Sequence, residues 1–170
     1  MPIIVEGKPS KTIRVLLTCQ DVDQGISSRE SEENVEQSFA MEKHLEEFIV
    51  DNWISTEFGK SYDIYDEDPD RPGQQFPTDT GRIDILALSK DKKSLLVLEL
   101  KKGRASDAAV GQILRYINFV QEEIAEPGQS VKGVIIALNA DQRIRRALDA
   151  VPSLSLDFYR YEVDFKLVKA

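Results

Sequence analysis

Apolar and polar residues alternate in blocks along the chain, and these blocks predict a series of strands and helices. Residues 82–89 and 94–101 are rich in Ile, Leu and Val, and the polar segment between them suits a hairpin turn. Apolar residues occupy both the odd-numbered and the even-numbered positions of these segments, so apolar side chains point to both faces of the sheet. We therefore expect both faces to be covered. Segments 131–138 and 156–168 predict two further strands, and residues 62–65 predict a short one.

Two longer segments repeat their apolar residues at the helical period. The first begins at Ser38, a residue type that suits an N-cap, and the second runs from about Ser106 to Ile124. A short basic helix is predicted over 141–150. The prolines and glycines in 66–81 predict that this segment is a loop.

The order of these elements predicts a three-layer α/β domain in which helices flank a central mixed sheet. The chain has 170 residues, which suffices for one such domain and leaves a second one unexpected. We place the domain at residues 38–170. Residues 1–37 are expected to form an N-terminal strand, 12–19, followed by a polar connection.

Two carboxylates are predicted to face each other across the hairpin. If the turn is centred between Asp91 and Lys92, Asp84 lies directly opposite Glu99. Cross-strand partners on one face have Cβ atoms about 5 Å apart. Two ionised carboxylates at that distance repel by roughly 3 kcal/mol at an effective dielectric of about 20. A divalent cation such as Mg²⁺ converts this repulsion into attraction, so we predict a metal site on Asp84 and Glu99.

Lys101 is the third member of this predicted site. It lies two residues beyond Glu99, and the strand period of two places both side chains on the same face. An ammonium beside a metal site can hold an attacking water or a phosphate and stabilise the negative charge that develops on it. A purely structural ion-pair cluster of Asp84, Glu99 and Lys101 is the alternative.

Two helices are expected to bring further polar side chains to this site. At about 100° per residue, Glu42 falls inside the apolar stripe of the first helix, where a buried carboxylate needs a partner. A glutamate that reaches solvent from the edge of the stripe is the alternative. Gln112 and Tyr116 are four residues apart on the long helix and can hydrogen-bond towards the sheet, with an ordinary core position as the alternative for Tyr116.

The overall charge narrows the kind of nucleic-acid contact that is expected. A net charge of −8 argues against a protein that coats nucleic acid by general attraction. Basic residues nevertheless concentrate in the C-terminal half, where they can form a local track for phosphates. The candidates for substrate binding are Arg82, Lys102, Arg104 and Arg115. Solvated surface charge is the alternative for each of them.

Composition also bears on where the protein is expected to work. The longest apolar runs fall far below the roughly 20 residues of a membrane span, and the N-terminal residues lack the pattern of a secretory signal. Cys19 is the only cysteine, so an intrachain disulfide is impossible. We therefore expect a cytoplasmic protein that does not contact a membrane.

Three blocks of the chain resemble motifs of the PD-(D/E)XK nuclease superfamily: Gly81-Arg-Ile-Asp-Ile-Leu86, Glu99-Leu-Lys-Lys-Gly103 and Gly111-Gln-Ile-Leu-Arg-Tyr116. Their order after a helix that carries a glutamate is similar to that of RecB-type nucleases, with their Gln-x-x-x-Tyr motif. The blocks resemble more specifically the catalytic domain of NucS-type endonucleases. The resemblance covers roughly residues 39–161 and is strongest over 80–116.

This resemblance implies a restriction-endonuclease-like fold and an Mg²⁺- or Mn²⁺-dependent hydrolase of DNA phosphodiester bonds. It assigns the metal to Asp84, Glu99 and the backbone carbonyl of Leu100, and the attacking water to Lys101. Glu42 would complete the acidic set, and the residues that support the site would be Gln112 and Tyr116.

The chain departs from the family pattern in two respects. Ile83 stands where many members have a proline, and the N-terminal DNA-binding and dimerisation domain of NucS has no counterpart in the sequence. We therefore expect DNA affinity to come from a homodimer mate or from a separate DNA-binding partner.

Two other classes of function remain open from the sequence. A non-catalytic nucleic-acid-binding or assembly module that keeps the nuclease fold is favoured by the acidic charge and disfavoured by the intact set of Asp84, Glu99 and Lys101. The other is an α/β domain whose charges serve only its structure.

Overall fold

The computed structural model describes residues 4–6, 12–17, 32–150 and 156–165, with side chains described over 42–150 and 156–161. The helices and strands in chain order are β1 (Ile4–Glu6), β2 (Thr12–Leu17), α1 (Glu32–Asp51), β3 (Tyr62–Ile64), β4 (Gln74–Thr78), β5 (Gly81–Ser89), β6 (Ser94–Ala105), α2 (Asp107–Glu123), β7 (Ser130–Ala140), α3 (Gln142–Asp149) and β8 (Leu156–Phe165). Two short 3-10 turns, Trp53–Ser55 and Phe58–Lys60, connect α1 to β3.

A mixed sheet forms the centre of the fold. Its strand order is β1-β2-β8-β7-β6-β5-β3, and β4 also pairs with β5. Strands β2, β8, β7 and β6 run parallel to one another, and the other pairs are antiparallel. Parallel neighbours require a crossover connection. Helix α2 provides it between β6 and β7, and α3 provides it between β7 and β8.

Helices cover both faces of the sheet because consecutive residues of the central strands are apolar. Ile85 and Leu98 are fully buried on the face that α1 covers. Leu86 and Val97 are fully buried on the face that α2 and α3 cover. Burial on both faces explains why β5 and β6 do not alternate between apolar and polar residues. The predicted three-layer α/β fold with a central mixed sheet is confirmed.

Most predicted elements are present, with shifted ends. The first helix begins at Glu32 rather than at Ser38. Acidic residues are favoured in the first turns of a helix because they face the positive end of its dipole. A search for apolar periodicity therefore misses this part of the helix. Strand β6 also continues to Ala105, beyond the predicted end at Lys101.

One segment that was predicted to be a loop contains a strand. Strand β4 lies within 66–81, so the loop prediction was wrong for Gln74–Thr78. Pro77 lies opposite Arg82 in this strand pair. A proline has no N–H to donate, but an edge strand tolerates this loss. Among the described strands, β4 pairs with β5 alone.

The N-terminal strand joins the same sheet as the rest of the described chain, because β2 pairs with β8. Residues 18–31, the first part of the predicted polar connection, lie outside the described residues. Its last part, residues 32–37, is helical and belongs to α1, so the prediction of a connection was wrong there. The domain boundary between residues 37 and 38 therefore stays a prediction. Within the described ranges, every helix is too short or too polar to cross a membrane.

Gly73 lies in the connection between β3 and β4 and is hydrogen-bonded to β5. A substitution at this position tests the packing there. The Gly73 N–H donates to the Tyr65 carbonyl at 2.9 Å, and the Leu86 N–H donates to the Gly73 carbonyl at 2.8 Å. A Cβ at Gly73 would lie 2.5 Å from the Leu86 carbonyl oxygen. We expect Gly73→Ala to lower the free energy of unfolding by about 1–3 kcal/mol, the usual cost of overpacking, as measured by urea titration.

Gly111→Ala is the matched control, because a Cβ at this position in α2 would lie 3.8 Å from the nearest side-chain atom, Arg115 Nη1. This substitution should raise the free energy of unfolding by about 0.5–1 kcal/mol, since alanine is the better helix former. Equal urea midpoints for the two variants would contradict the described packing at Gly73.

Candidate active site

The two predicted carboxylates lie where β5 and β6 separate. The register of these strands is the predicted one, and its last described pair is Ile85 opposite Leu98. Asp84 and Glu99 come next in this register. At that point the Leu100 N–H donates to a side-chain oxygen, Asp84 Oδ2, at 2.7 Å. The strand pair thus presents both carboxylates at its open end.

Both carboxylates are held in an environment that disfavours their charge. Glu99 is only 2% exposed. Burial raises the pKa of Asp84 to about 7, and the negative charge of Glu99 is the second cause. Burial likewise raises the pKa of Glu99. Among the described residues, Glu99 Oε2 has no hydrogen-bond partner. A buried carboxylate in this state is costly unless a proton or a cation compensates it.

Lys101 connects Glu99 to α2 through a chain of hydrogen bonds. Its Nζ donates to Glu99 Oε1 at 2.6 Å and to Gln112 Oε1 at 3.2 Å. Gln112 Nε2 lies 3.1 Å from the Tyr116 hydroxyl, to which it donates, so the amide oxygen faces Lys101. Burial acts to lower the pKa of Lys101, but the Glu99 carboxylate raises it, and the net pKa is raised. The ammonium therefore stays charged.

A glycine at the start of β5 makes room for Tyr116. Gly81 has a φ of +146°, a conformation that residues with a Cβ rarely adopt. A Cβ at this position would lie 2.6 Å from the Tyr116 hydroxyl oxygen. The glycine that precedes Arg82 in the first motif thus allows α2 to approach the end of β5.

Glu42 contacts the backbone of β6. Its Oε1 accepts a hydrogen bond from the Lys102 N–H at 2.9 Å. The register of β6 and β7 shifts between Lys101 and Arg104, and such irregularities leave backbone groups without a ladder partner. Glu42 is half-buried and lies in the wall of the same cleft as Asp84.

Three further polar side chains at the site were missed by the sequence reasoning. Glu46 is buried and accepts hydrogen bonds from Gln74 Nε2 at 2.8 Å and from Gln75 Nε2 at 2.5 Å. Gln75 Nε2 also donates to Asp84 Oδ1 at 3.3 Å. The helical period places Glu46 near the edge of the apolar stripe, which was a weak signal. The two glutamines fall in the segment that was predicted to be a loop.

The basic residues predicted to bind substrate occupy different surfaces. Lys102 is half-buried and Arg104 is exposed near the end of β6. Arg82 is exposed, and its Nη1 donates to the Gln75 carbonyl at 3.3 Å. Arg115 lines a separate hollow beside α2. The structure therefore places Arg115 apart from the carboxylate cleft, and the other three on the strands that form the site.

A cleft of about 330 Å³ opens beside Asp84. It is lined by Glu42, Lys43, Glu46, Glu47, Gln74, Gln75, Asp84 and Leu100. In the part of the chain that the structure describes, no group of three or more His, Cys, Asp and Glu side chains is arranged to hold a metal ion. Mg²⁺ requires less than that, because one or two carboxylates suffice when waters and phosphate oxygens complete its shell. The unpartnered oxygen of Glu99 beside Asp84 fits such a cation.

One protein-family model matches just over half of the chain. The family described as the endonuclease NucS C-terminal domain matches residues 70–158. Endonuclease NucS of Methanopyrus kandleri is 28% identical over 137 residues, which cover 80% of this chain and 46% of that protein. Endonuclease NucS of Pyrococcus horikoshii is 35% identical over 69 residues, which cover 41% of this chain and 26% of that protein. The matches thus span less than half the length of these relatives.

Solved structures show the same fold. A repair endonuclease from Pyrococcus abyssi superposes with a TM-score of 0.50 at 22% identity, over 83% of this chain and 50% of that one. An EndoMS–dsDNA complex gives a TM-score of 0.52 at 24% identity, over 78% of this chain and 46% of that one. Apo EndoMS gives a TM-score of 0.52 at 26% identity, over 71% of this chain and 46% of that one.

The raised pKa of Asp84 predicts a specific pH dependence of stability in the metal-free protein. Between its ordinary value of 3.8 and about 7, the folded state keeps a proton that the unfolded state releases. The contribution of Asp84 to stability is therefore full at low pH and is lost as the pH rises towards 7. Asp84→Asn removes this titration, so the stability of the variant relative to the wild type should increase from pH 4.5 to pH 7.5.

Urea titrations in EDTA at several pH values measure this difference. The variant and the wild type share the titrating groups that lie away from Asp84, so the effects of those groups cancel, and the difference measures Asp84 together with its coupling to Glu99 and Lys101. Parallel stability curves for the two proteins would show that Asp84 does not titrate abnormally.

Proposed function

The chain belongs to the family of the endonuclease NucS C-terminal domain, and on that premise we propose that it is a metal-dependent nuclease that hydrolyses DNA phosphodiester bonds. The observation that carries the proposal is the cluster at the open end of β5 and β6. Glu99, which is buried, and Asp84, which is partly buried, both have raised pKa values and lie beside a charged lysine there. A cluster of this kind is what phosphoryl chemistry requires, because it combines a cation site with a fixed positive charge.

The residues that hold the cation are, on this proposal, Asp84, Glu99 and the backbone carbonyl of Leu100. The donor set is all oxygen, which suits Mg²⁺ or Mn²⁺. When bound, such an ion lowers the pKa of a coordinated water and withdraws charge from the phosphate. The side chains of the protein fix the positions at which this chemistry takes place.

Lys101 acts on the water or on the scissile phosphate. Its ammonium stays charged and is held between Glu99 and Gln112. A fixed positive charge stabilises the negative charge that develops on the phosphate oxygens during attack. Gln112 and Tyr116 position the lysine through their shared hydrogen bond. Glu42 supports the site from the other face through the backbone of Lys102.

DNA is the substrate that the relatives favour, since a structural neighbour is a complex of EndoMS with dsDNA. The chain covers only about half of that protein, so which DNA structure is cut does not carry over. Lys102, Arg104 and Arg82 are proposed to contact phosphates near the cleft. A net charge of −8 gives little general attraction to DNA, so a second copy of the chain or a DNA-binding partner supplies the remaining affinity.

Cleavage of DNA tests the proposal directly. Asp84→Asn and Lys101→Met should each reduce Mg²⁺-dependent cleavage at least about 100-fold, because the first removes a ligand charge that holds the cation and the second removes the fixed positive charge beside the reacting phosphate. Single-stranded, duplex, branched and mismatched DNA should all be assayed, with EDTA as the metal-free reference. Asp63→Asn and Lys132→Met, which change exposed side chains on other strands, are the matched controls. Full activity in Asp84→Asn would refute the assigned site.

Metal binding gives a second test that does not depend on the choice of substrate. Mn²⁺ should bind the wild type at millimolar concentrations or below in a calorimetric titration, and Glu99→Gln should abolish that binding because it removes a ligand charge. Binding of Mn²⁺ without cleavage of any DNA would favour the non-catalytic module. The absence of Mn²⁺ binding to a folded wild type would reject the metal site.

A further inference from the structure

A small polar network joins α1, β4 and β5 beside the proposed metal site. Glu46 is only 6% exposed, and each of its carboxylate oxygens accepts one amide hydrogen bond. Gln74 donates to one oxygen, and Gln75 donates to the other. A buried carboxylate that is satisfied in this way serves as an anchor for the amides rather than as a free metal ligand.

Gln75 links this anchor to Asp84. Residue 75 falls directly opposite residue 84, because Gln74 pairs with Ile85 and Phe76 pairs with Ile83. Its Nε2 donates to Glu46 Oε2 at 2.5 Å and to Asp84 Oδ1 at 3.3 Å. An amide nitrogen carries two hydrogens, so it can serve both carboxylates. The reverse orientation would place the amide oxygen against two carboxylates, which would repel it.

The backbone of Gln75 is strained. Its φ is +53°, in the left-handed region that few residues other than glycine adopt. Strain of this kind persists only where the surroundings impose it, and it concentrates at functional sites. The contacts that hold Gln75 are the Glu46 carboxylate on its side chain and the Arg82 guanidinium, 3.3 Å from its carbonyl oxygen.

We propose that Gln75, anchored by Glu46, is a positioning residue that fixes the Asp84 carboxylate for cation binding. The inference rests on the proposed function. Asp84 Oδ2 is held from β6 by the Leu100 N–H, and Asp84 Oδ1 is held from β4 by the Gln75 amide. Both oxygens are therefore oriented before a cation arrives. A ligand that is already ordered loses less rotational freedom on binding, so the cation binds more tightly.

Two substitutions at one position separate this role from a structural one. Gln75→Ala removes the amide and keeps the strain of a Cβ at positive φ. Gln75→Gly removes the amide and relieves that strain. We expect both variants to bind Mn²⁺ about 10- to 100-fold more weakly by calorimetry, the usual effect of losing a residue that orients a metal ligand. The urea midpoint of Gln75→Gly should nevertheless be higher than that of Gln75→Ala.

Two further variants test the anchor. Glu46→Ala should weaken Mn²⁺ binding by a similar factor. The double variant Glu46→Ala with Gln75→Gly should bind Mn²⁺ no more weakly than either single variant, because both substitutions act through the same contact. Gln74→Ala, which removes a donor to Glu46 alone, should have a smaller effect. Gln121→Ala, an exposed glutamine of α2, is the matched control and should bind like the wild type.

The results separate failure of this inference from failure of the proposed function. Unchanged Mn²⁺ affinity in Gln75→Gly, in a chain whose wild type binds Mn²⁺ and cuts DNA, overturns the positioning role alone. The positioning role is also overturned if the loss of Mn²⁺ affinity follows the loss of stability across the variants. It is overturned as well if Gln74→Ala binds Mn²⁺ as weakly as Gln75→Gly does. A folded wild type that binds no Mn²⁺ overturns both.

Discussion

The organisation of the site follows from two carboxylates that lie side by side at the open end of the β5–β6 strand pair, where Glu99 is buried and Asp84 is partly buried. Burial disfavours the charged form of both, and within the described part of the chain one oxygen of Glu99 has no hydrogen-bond partner. The surrounding elements each supply part of the compensation. Strand β6 contributes the Leu100 N–H and the Lys101 ammonium, and β4 contributes the Gln75 amide. What remains uncompensated is the part that a cation would neutralise.

The fold and the central cluster could be predicted because both follow from short-range regularities. The hairpin turn set the register that places Asp84 next to Glu99, and the strand period placed Lys101 beside Glu99. The network of Glu46, Gln74 and Gln75 could not be found in this way. It depends on a strand that was hidden by the prolines and glycines of the segment 66–81. It also depends on contacts between residues nearly thirty positions apart, which no local period encodes.

The site also shows where stability gives way to function. Elsewhere in β5 and β6, most apolar side chains are buried. Near Asp84, by contrast, like charges are neighbours, the Gln75 backbone is strained, and the β6–β7 register shifts just after Lys101. Irregularities that lie together in this way are typical of functional sites. Each of them here lies beside a side chain of the proposed site.

The net charge of −8 does not by itself determine the electrostatic field at the cleft. Charges more than about 8 Å from a phosphate are largely screened at physiological salt, and part of the acidic segment near β4 is paired with Arg71 and Lys92. The field that a DNA phosphate meets is therefore set by the cleft itself. With Asp84 and Glu99 ionised and no cation bound, the carboxylates outnumber the Lys101 ammonium and repel the phosphate, and a bound cation offsets this repulsion. On the proposed function, cation and DNA must each raise the affinity for the other.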